Sequence, residues 1–323
     1  MTAQSNADML ITIFGGSGFL GRHVVQALAR QGYRIRVAVR RPDLTGHLQP
    51  LGRVGQIHAV QANVRHRGSV AAAVRGSDVV INLVGILFES GRQRFDSVHS
   101  FGAEAVALAA ASHNARVIHA SAIGADENSS AAYARSKAVG ENLVLAATPG
   151  ATILRPSIVF GPNDNFFNRF AALARLAPAL PLIGGGRTRF QPVYGGDVAE
   201  AVVKAVAGAT RAGPIYELGG PDVFTFKELM EFVLARIERR RLLLPLPWGL
   251  AKFQAALLAL LPKPMLTPDQ VELLRYDNVV SDAATSERRT LEGLGIVPHA
   301  VAAIVPAYLW RFRKTGQFQR HPA

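Results

Sequence analysis

Leu10-Ile11-Thr12-Ile13-Phe14-Gly15-Gly16-Ser17-Gly18-Phe19-Leu20-Gly21 decides the fold. A short β-rich apolar run stops at a cluster of glycines, and the pattern that resumes from Gly21 to Gln31 is helical. Glycines at such a junction tolerate a tight turn and let the backbone approach a pyrophosphate, which the N–H groups and positive end of the following helix attract. Gly15, Gly18, Phe19, Leu20 and Gly21 are therefore the expected grip on a dinucleotide. A merely structural strand-to-helix turn would need fewer glycines.

Outward from this turn the chain alternates strand and helix. Ile35–Val39 and Val79–Val84 read as strands with a helical stretch over Ala71–Val74 between them, and further strands are expected at Val117–Ala120 and Ala151–Leu154. Helical patterns over Phe101–Ala111 and Tyr133–Ala146 separate these. The order βαβαβ predicts an α/β, doubly wound Rossmann fold with six or seven parallel strands and helices on both faces. Beyond Arg155, Gly161, Pro162, Pro178, Pro181 and Gly184-Gly185-Gly186 break the rhythm. The expected organisation is a disordered segment over 1–8, a nucleotide-binding domain over 9–180 and a smaller C-terminal lobe over 181–323, laced back to the sheet by a helix over Val198–Ala207.

Composition narrows the chemistry. The 323 residues contain no cysteine, which excludes disulfides, thiolate metal sites and cysteine nucleophiles. A net charge of +13 favours an anionic partner, although arginine supplies most of it and only six lysines are present. No nucleic-acid motif accompanies the charge, and neither nucleic acid nor a metal is expected as a partner. The first eight residues lack the basic and apolar regions of a secretory signal, so translocation is not expected.

The second strand ends at Val39-Arg40-Arg41-Pro42, about twenty residues past the last glycine, where NAD-preferring folds carry an acid for the ribose 2′-OH. Guanidinium groups there can pair with a 2′-phosphate, which favours NADP(H); two solvated arginines would read the same way. Asn63 and Val64 are placed to reach the adenine, and Leu83 and Val84 follow Asn82 at the cofactor edge. Tyr133 and Lys137 stand at i and i+4 of one helix face, with Ser121 twelve residues upstream of the tyrosine at a strand end. In such a trio lysine favours phenolate, tyrosine exchanges the substrate proton and serine holds the reacting oxygen.

The glycine turn, Tyr133 with Lys137, and Leu154-Arg155-Pro156-Ser157-Ile158-Val159-Phe160-Gly161 resemble the extended and atypical branches of the short-chain dehydrogenase/reductase superfamily, over about residues 9–220. That resemblance implies that Lys137 also touches the nicotinamide ribose and that Pro156 to Ile158 border the nicotinamide. Phe88, Phe166, Arg187 and Gln191 become pocket candidates by analogy. Arg189-Phe190-Gln191-Pro192-Val193-Tyr194, Gly196-Asp197-Val198-Ala199, Tyr216-Glu217-Leu218-Gly219-Gly220-Pro221, Leu266-Thr267-Pro268-Asp269-Gln270-Val271 and Asp277-Asn278-Val279-Val280 are similar to the NADPH-binding accessory subunit of respiratory complex I and its bacterial homologues. Asp197 and Thr267 also have simpler readings as helix caps.

This closer resemblance implies tight NADPH binding without obvious turnover, complex I subunits as partners, and a peripheral position on the cytoplasmic side of a bacterial inner membrane. Within Leu242–Leu261 the prolines leave a helix over Trp248–Leu261, about 21 Å long and short of the ~30 Å hydrocarbon core. It could lie on an anionic membrane surface or a protein, together with the basic Trp310-Arg311-Phe312-Arg313-Lys314, or be an ordinary core helix. The retained Ser121, Tyr133 and Lys137 keep a second reading open, a soluble NADP-dependent reductase, dehydrogenase or epimerase. A redox-sensing regulator is a third.

Overall fold

The computed structural model describes residues 5–211, 213–262, 264–314 and 316. It divides into two compact units: one comprises 1–156, 196–218 and 281–296, and the other 157–195, 219–280 and 297–323. The first unit thus closes at Pro156 rather than at residue 180, and takes back two later segments. Of the segment expected to be disordered, residues 1–4 lie outside the described residues, while 5–8 form a turn with the Asp8 N–H on the Ser5 carbonyl at 2.9 Å.

The first unit is built on seven parallel strands: β1 (Leu10–Phe14), β2 (Arg34–Val39), β3 (Ile57–Gln61), β4 (Val79–Asn82), β5 (Arg116–Ala120), β6 (Thr152–Pro156) and β7 (Ile215–Leu218). Their order across the sheet is β7-β6-β5-β4-β1-β2-β3. The order reverses between β1 and β4, and in such sheets the crevice at the carboxyl ends beside that reversal takes the ligand. Four helices matter to the site: α1 (Phe19–Arg30), α2 (Arg67–Val74), α3 (Phe101–Ala111) and α4 (Ala132–Ala147).

Side chains alternate across each strand, and the alternation sorts the helices. Phe14 and Ala38 share a core with Val70 and Val74 of α2, Ala103, Val106 and Ala110 of α3, and Val144 of α4. The residues one step back along the strands, Ile13 and Val37, pack near Val25 of α1 instead. The alanine-rich face of α3 lets it lie close against its neighbours. Residues Asp96–Ser100 form a π-helical turn leading into α3, a local widening that is frequent at functional positions.

The second unit has its own core, in which Phe160, Phe167, Phe190 and Phe226 are buried with Leu229, Met230 and Val233. Two-stranded pairings run parallel between Leu242–Leu246 and Ala179–Ile183 and antiparallel between Phe224–Thr225 and Arg189–Phe190. Thr267 does cap a helix, Pro268–Leu273, through a reciprocal capping box with Gln270. Asp197 does not: its helix spans Gly195–Val206, so the residue lies buried in the first turn. The helix expected over Trp248–Leu261 spans Trp248–Leu258, with turn-type bonds at Leu260 and Leu261 before Pro262, which cannot continue it.

Candidate functional site

The C-terminal ends of the parallel strands bring the expected cofactor residues of the first unit to one edge of the sheet. Gly15 follows β1, Arg40 and Arg41 follow β2, Asn63 and Val64 follow β3, Leu83 and Val84 follow β4, Ser121 follows β5, and Pro156 ends β6. Backbone bonds lock the first of these together: the Gly15 N–H reaches the Ala38 carbonyl and the Leu83 N–H reaches the Phe14 carbonyl. Ile158 belongs to the second unit, where its carbonyl accepts from the Val193 N–H at 3.0 Å.

The glycine turn fits a dinucleotide on steric grounds. Gly15 has φ of +80°, in the left-handed region that disfavours side chains. A Cβ on Gly21 would lie 2.3 Å from the Gly15 carbonyl oxygen, so only glycine lets α1 start this close to the turn. Gly18 occupies the N-cap of α1 and no acidic residue lies in the first turn, with Phe19 and Leu20 half-buried beside it. The N–H groups and dipole of this helix end are therefore left to an anion from outside.

Lys137 is 5% exposed, and its ammonium donates to the Ala120 carbonyl at 3.1 Å. Burial lowers it to about 8, against the lifting effect of Glu141. Tyr133, one turn earlier on α4, sets its ring edge-on to Phe95 and His99 with centroids 5.8 and 5.3 Å away. Ser121 is held by its own backbone, whose N–H reaches the Leu154 carbonyl at 2.7 Å, and its buried hydroxyl has no partner among the described residues. A buried hydroxyl and a buried ammonium at one sheet edge suit an oxygen-bearing ligand.

Two histidines not anticipated from the sequence share this neighbourhood. The Ile86 N–H donates to His99 Nε2 at 3.0 Å, so the ring proton sits on Nδ1, facing Ser136 Oγ at 2.9 Å; Ser136 in turn donates to the Tyr133 carbonyl at 2.8 Å. Burial, then Lys137 and His119, press His99 down to about 2. Asn82 Oδ1 accepts from the Val84 N–H, which turns the amide nitrogen toward His119 Nδ1 at 3.2 Å. Nδ1 then accepts, the proton lies on Nε2, and that buried nitrogen has no partner among the described residues. Burial and then Lys137 hold His119 down to about 3.

Other expected residues have local duties. Asn63 Oδ1 accepts from the Arg65 N–H at 3.1 Å, so at least one of its acceptor positions serves the turn. Arg41 is tied to Asp43 by three bonds of 2.7–3.2 Å at the exposed surface. Within the second unit Phe166 belongs to the aromatic cluster of Phe167, Phe170, Phe190 and Phe226. Gln191 clasps the Gly220 carbonyl with its amide nitrogen and the Val280 N–H with its amide oxygen. Phe166 and Gln191 thus make structural contacts within the second unit.

Comparison with known proteins agrees with this geometry. The pattern of the NAD dependent epimerase/dehydratase family matches residues 11–219. The chain is 37% identical over 326 residues to NADH dehydrogenase [ubiquinone] 1 alpha subcomplex subunit 9, mitochondrial, of Arabidopsis thaliana, covering 97% of this chain and 80% of the plant protein. A ceramide reductase of Caulobacter vibrioides is 36% identical over 179 residues, 55% of each chain. Among solved structures, the Escherichia coli NADPH-dependent quinone oxidoreductase QOR2 with NADPH superposes with a TM-score of 0.71 at 18% identity, covering 93% of this chain and 99% of that one. A dTDP-glucose 4,6-dehydratase from Streptomyces venezuelae with NAD bound gives 0.67 at 19% identity, covering 94% and 96%. With a nucleotide-shaped glycine turn, a seven-stranded parallel sheet and identity along nearly its whole length to the plant subunit, the chain belongs to the NAD dependent epimerase/dehydratase family, in the branch of the complex I alpha-subcomplex subunit 9 proteins.

Proposed function

We propose that the protein is an NADP(H)-binding accessory subunit of NADH:ubiquinone oxidoreductase, respiratory complex I, supporting its assembly and stability beside the quinone site and the membrane surface. The observation that carries the reading is the identity to the plant subunit, which spans both units and includes the second-half stretches that a nucleotide site alone does not require. NADP(H) is favoured over NAD(H) because the end of β2 carries arginine where a ribose-binding acid would stand. Mild solubilisation of membranes from the native organism, followed by a native gel, tests the placement. Comigration with NADH:ubiquinone oxidoreductase activity and release of stoichiometric NADPH are expected; a free protein that exchanges its nucleotide would overturn it.

The surface of the second unit supports a peripheral site on the cytoplasmic side of a bacterial inner membrane. Helix Trp248–Leu258 packs inward through Ala251 and Ala255 and turns Leu250, Phe253 and Leu257 to solvent, and Leu242 and Leu244 are also exposed. Exposed Arg240 and Lys252 lie in the same stretch of chain, which suits an anionic bilayer surface. No helix among the described residues is long and apolar enough to cross a membrane. Phe253→Ser should weaken sedimentation with phosphatidylglycerol vesicles, because it removes apolar area that would enter the bilayer. Equal binding by variant and wild type would remove this surface from the proposal.

A second reading rests on the buried hydroxyl of Ser121, which has no partner among the described residues, beside a lysine lowered to about 8. In it Tyr133 exchanges a proton with a substrate oxygen, Lys137 stabilises the phenolate and binds the nicotinamide ribose, and Ser121 orients that oxygen. The bound nicotinamide nucleotide would supply or accept the hydride. Tyr133→Phe should then abolish turnover of any substrate found while sparing nucleotide binding, and an unchanged rate would reject the assignment.

A further inference from the structure

Three arginines stand near the carboxyl ends of β2 and β3, and their partners differ in charge. Arg41 is neutralised by Asp43 at 2.7 Å. Arg40, directly after β2, donates from Nη1 to the side-chain oxygen of Gln93 at 2.8 Å. Arg65, half-buried two residues past Asn63, donates from Nη1 to the Arg92 carbonyl at 3.1 Å. Both of the latter oxygens are neutral, so these two guanidinium groups keep their full charge, and each has further N–H donors in its fork.

The two residues start from fixed positions. β2 and β3 are paired in register from Ile35–Ile57 to Val39–Gln61, and the Ala62 N–H continues the ladder onto the Val39 carbonyl at 2.8 Å. Asn63 is pinned at its N–H by Ser69 Oγ and accepts from the Arg65 N–H, which sets where the Arg65 side chain departs. Their contacts converge on Arg92 and Gln93, adjacent residues of a tight hairpin closed by reciprocal Ser90 and Gln93 backbone bonds of 3.0 and 2.9 Å. Gly91 sits at its tip with φ of +55°. The same hairpin follows Leu83 and Val84 along the chain, so it belongs to the edge that carries the glycine turn.

We infer that the 2′-phosphate of the adenosine ribose is recognised by Arg40 together with Arg65, that Arg41 takes no part, and that the Ser90–Gln93 hairpin is a strap held across that end of the site by the same two guanidinium groups. The assignment rests on the NADP(H) reading above and deepens it. A dianion can be approached from two strand ends by two forks already tethered to one hairpin, and each fork can keep its hairpin bond while donating through its remaining N–H groups. Arg41 also has donors left on Nη1, but its charge is already offset by the Asp43 carboxylate.

Titration calorimetry of the full chain with NADPH, NADH, adenosine 2′,5′-bisphosphate and AMP separates the two levels. Arg40→Leu and Arg65→Leu should each weaken NADPH and the bisphosphate by about 10- to 100-fold while NADH and AMP change by less than about threefold. Arg41→Leu should bind all four like wild type, and Arg65→Lys should recover part of the loss. Hydrogen exchange in residues 88–94 should slow with the bisphosphate and not with AMP. If wild type prefers NADPH to NADH and Arg65→Leu keeps that preference, the clamp is overturned while the NADP(H) reading stands. If wild type shows no preference, the NADP(H) reading falls and the clamp with it. Matching melting temperatures of the ligand-free variants exclude a folding defect as the cause of any loss.

Discussion

Mild acid should destabilise this protein through two histidines before its carboxylates are extensively protonated. His99 is 2% and His119 1% exposed, and they are lowered to about 2 and about 3, chiefly by burial with Lys137 adding to it. The unfolded chain titrates these rings near 6.5. Folded values below unfolded ones mean that the unfolded state binds more protons, so the stability tied to each neutral ring is complete above about 6.5 and is lost as pH falls toward the folded value. At about pH 5 the gap is about 1.5 units at ~1.4 kcal/mol per unit, or about 2 kcal/mol for each histidine and about 4 for both. Urea unfolding between about pH 7.5 and about pH 5 measures this in wild type, His99→Gln and His119→Asn. Glutamine can still accept from the Ile86 N–H, so the absolute stability of that variant is less important than its slope. Each variant should lose about 2 kcal/mol of the pH-dependent change while the carboxylate contribution, common to all three, stays. A His99→Gln protein with the wild-type slope would refute the account of a neutral, desolvated imidazole beside Lys137.

Gly21→Ala should lower nucleotide affinity by at least about 100-fold, since its Cβ would fall 2.3 Å from the Gly15 carbonyl; retained affinity in a fluorescence titration would contradict the close approach. Arg155→Met should cost about 3–5 kcal/mol in denaturant unfolding, because Glu141, 2% exposed, would lose a partner at 2.6 Å and remain as a buried charge. The double change Glu141→Leu with Arg155→Met should recover most of that loss, and failure to do so would move the cost from charge burial to packing. Ser121→Ala should raise the stability of the nucleotide-free chain by about 1–3 kcal/mol by removing a buried hydroxyl without a partner. A melting temperature below that of wild type would show that the hydroxyl is served within the protein after all.

The sheet was legible in proportion to how fully its strands are buried. β1, β4 and β5 read as apolar runs because both faces of a central parallel strand are covered. β3 and β7 did not: β3, Ile57–Gln61, is an edge strand with His58 and Gln61 exposed, and β7 lies at the other edge and returns to the sheet after a long excursion into the second unit. The same excursion explains why the structure divides at Pro156: the break in βα rhythm after Arg155 marks the exit from one core, and of the two later returns only the first, through the helix expected over Val198–Ala207, was legible. The glycine turn and the Tyr133–Lys137 spacing were visible because each is a local pattern. His99 and His119 were not, because the property that matters is burial beside Lys137, and that depends on contacts from β4, the π-helical turn and α4. Arg65 was hidden for a similar reason, its significance lying in the neutrality of the oxygen it meets.

The two proposed roles place different demands on the chain, and those demands fall on different residues. Docking on a larger assembly requires a surface, and the candidates for it are in the second unit, where Leu250, Phe253 and Leu257 are exposed at the expense of solvation. Retaining a nucleotide requires the glycine turn and the arginine-bearing strand ends of the first unit. Holding the nicotinamide ribose gives Lys137 a use, but neither role requires Ser121 to keep a buried hydroxyl that no group among the described residues satisfies. Such groups cost stability in the ligand-free chain and gain a use when an oxygen enters the site. An alanine at 121 would serve a purely architectural subunit at least as well. The physical cost of the buried Ser121 hydroxyl is therefore the argument for looking for a substrate even in a protein whose relatives are named as subunits.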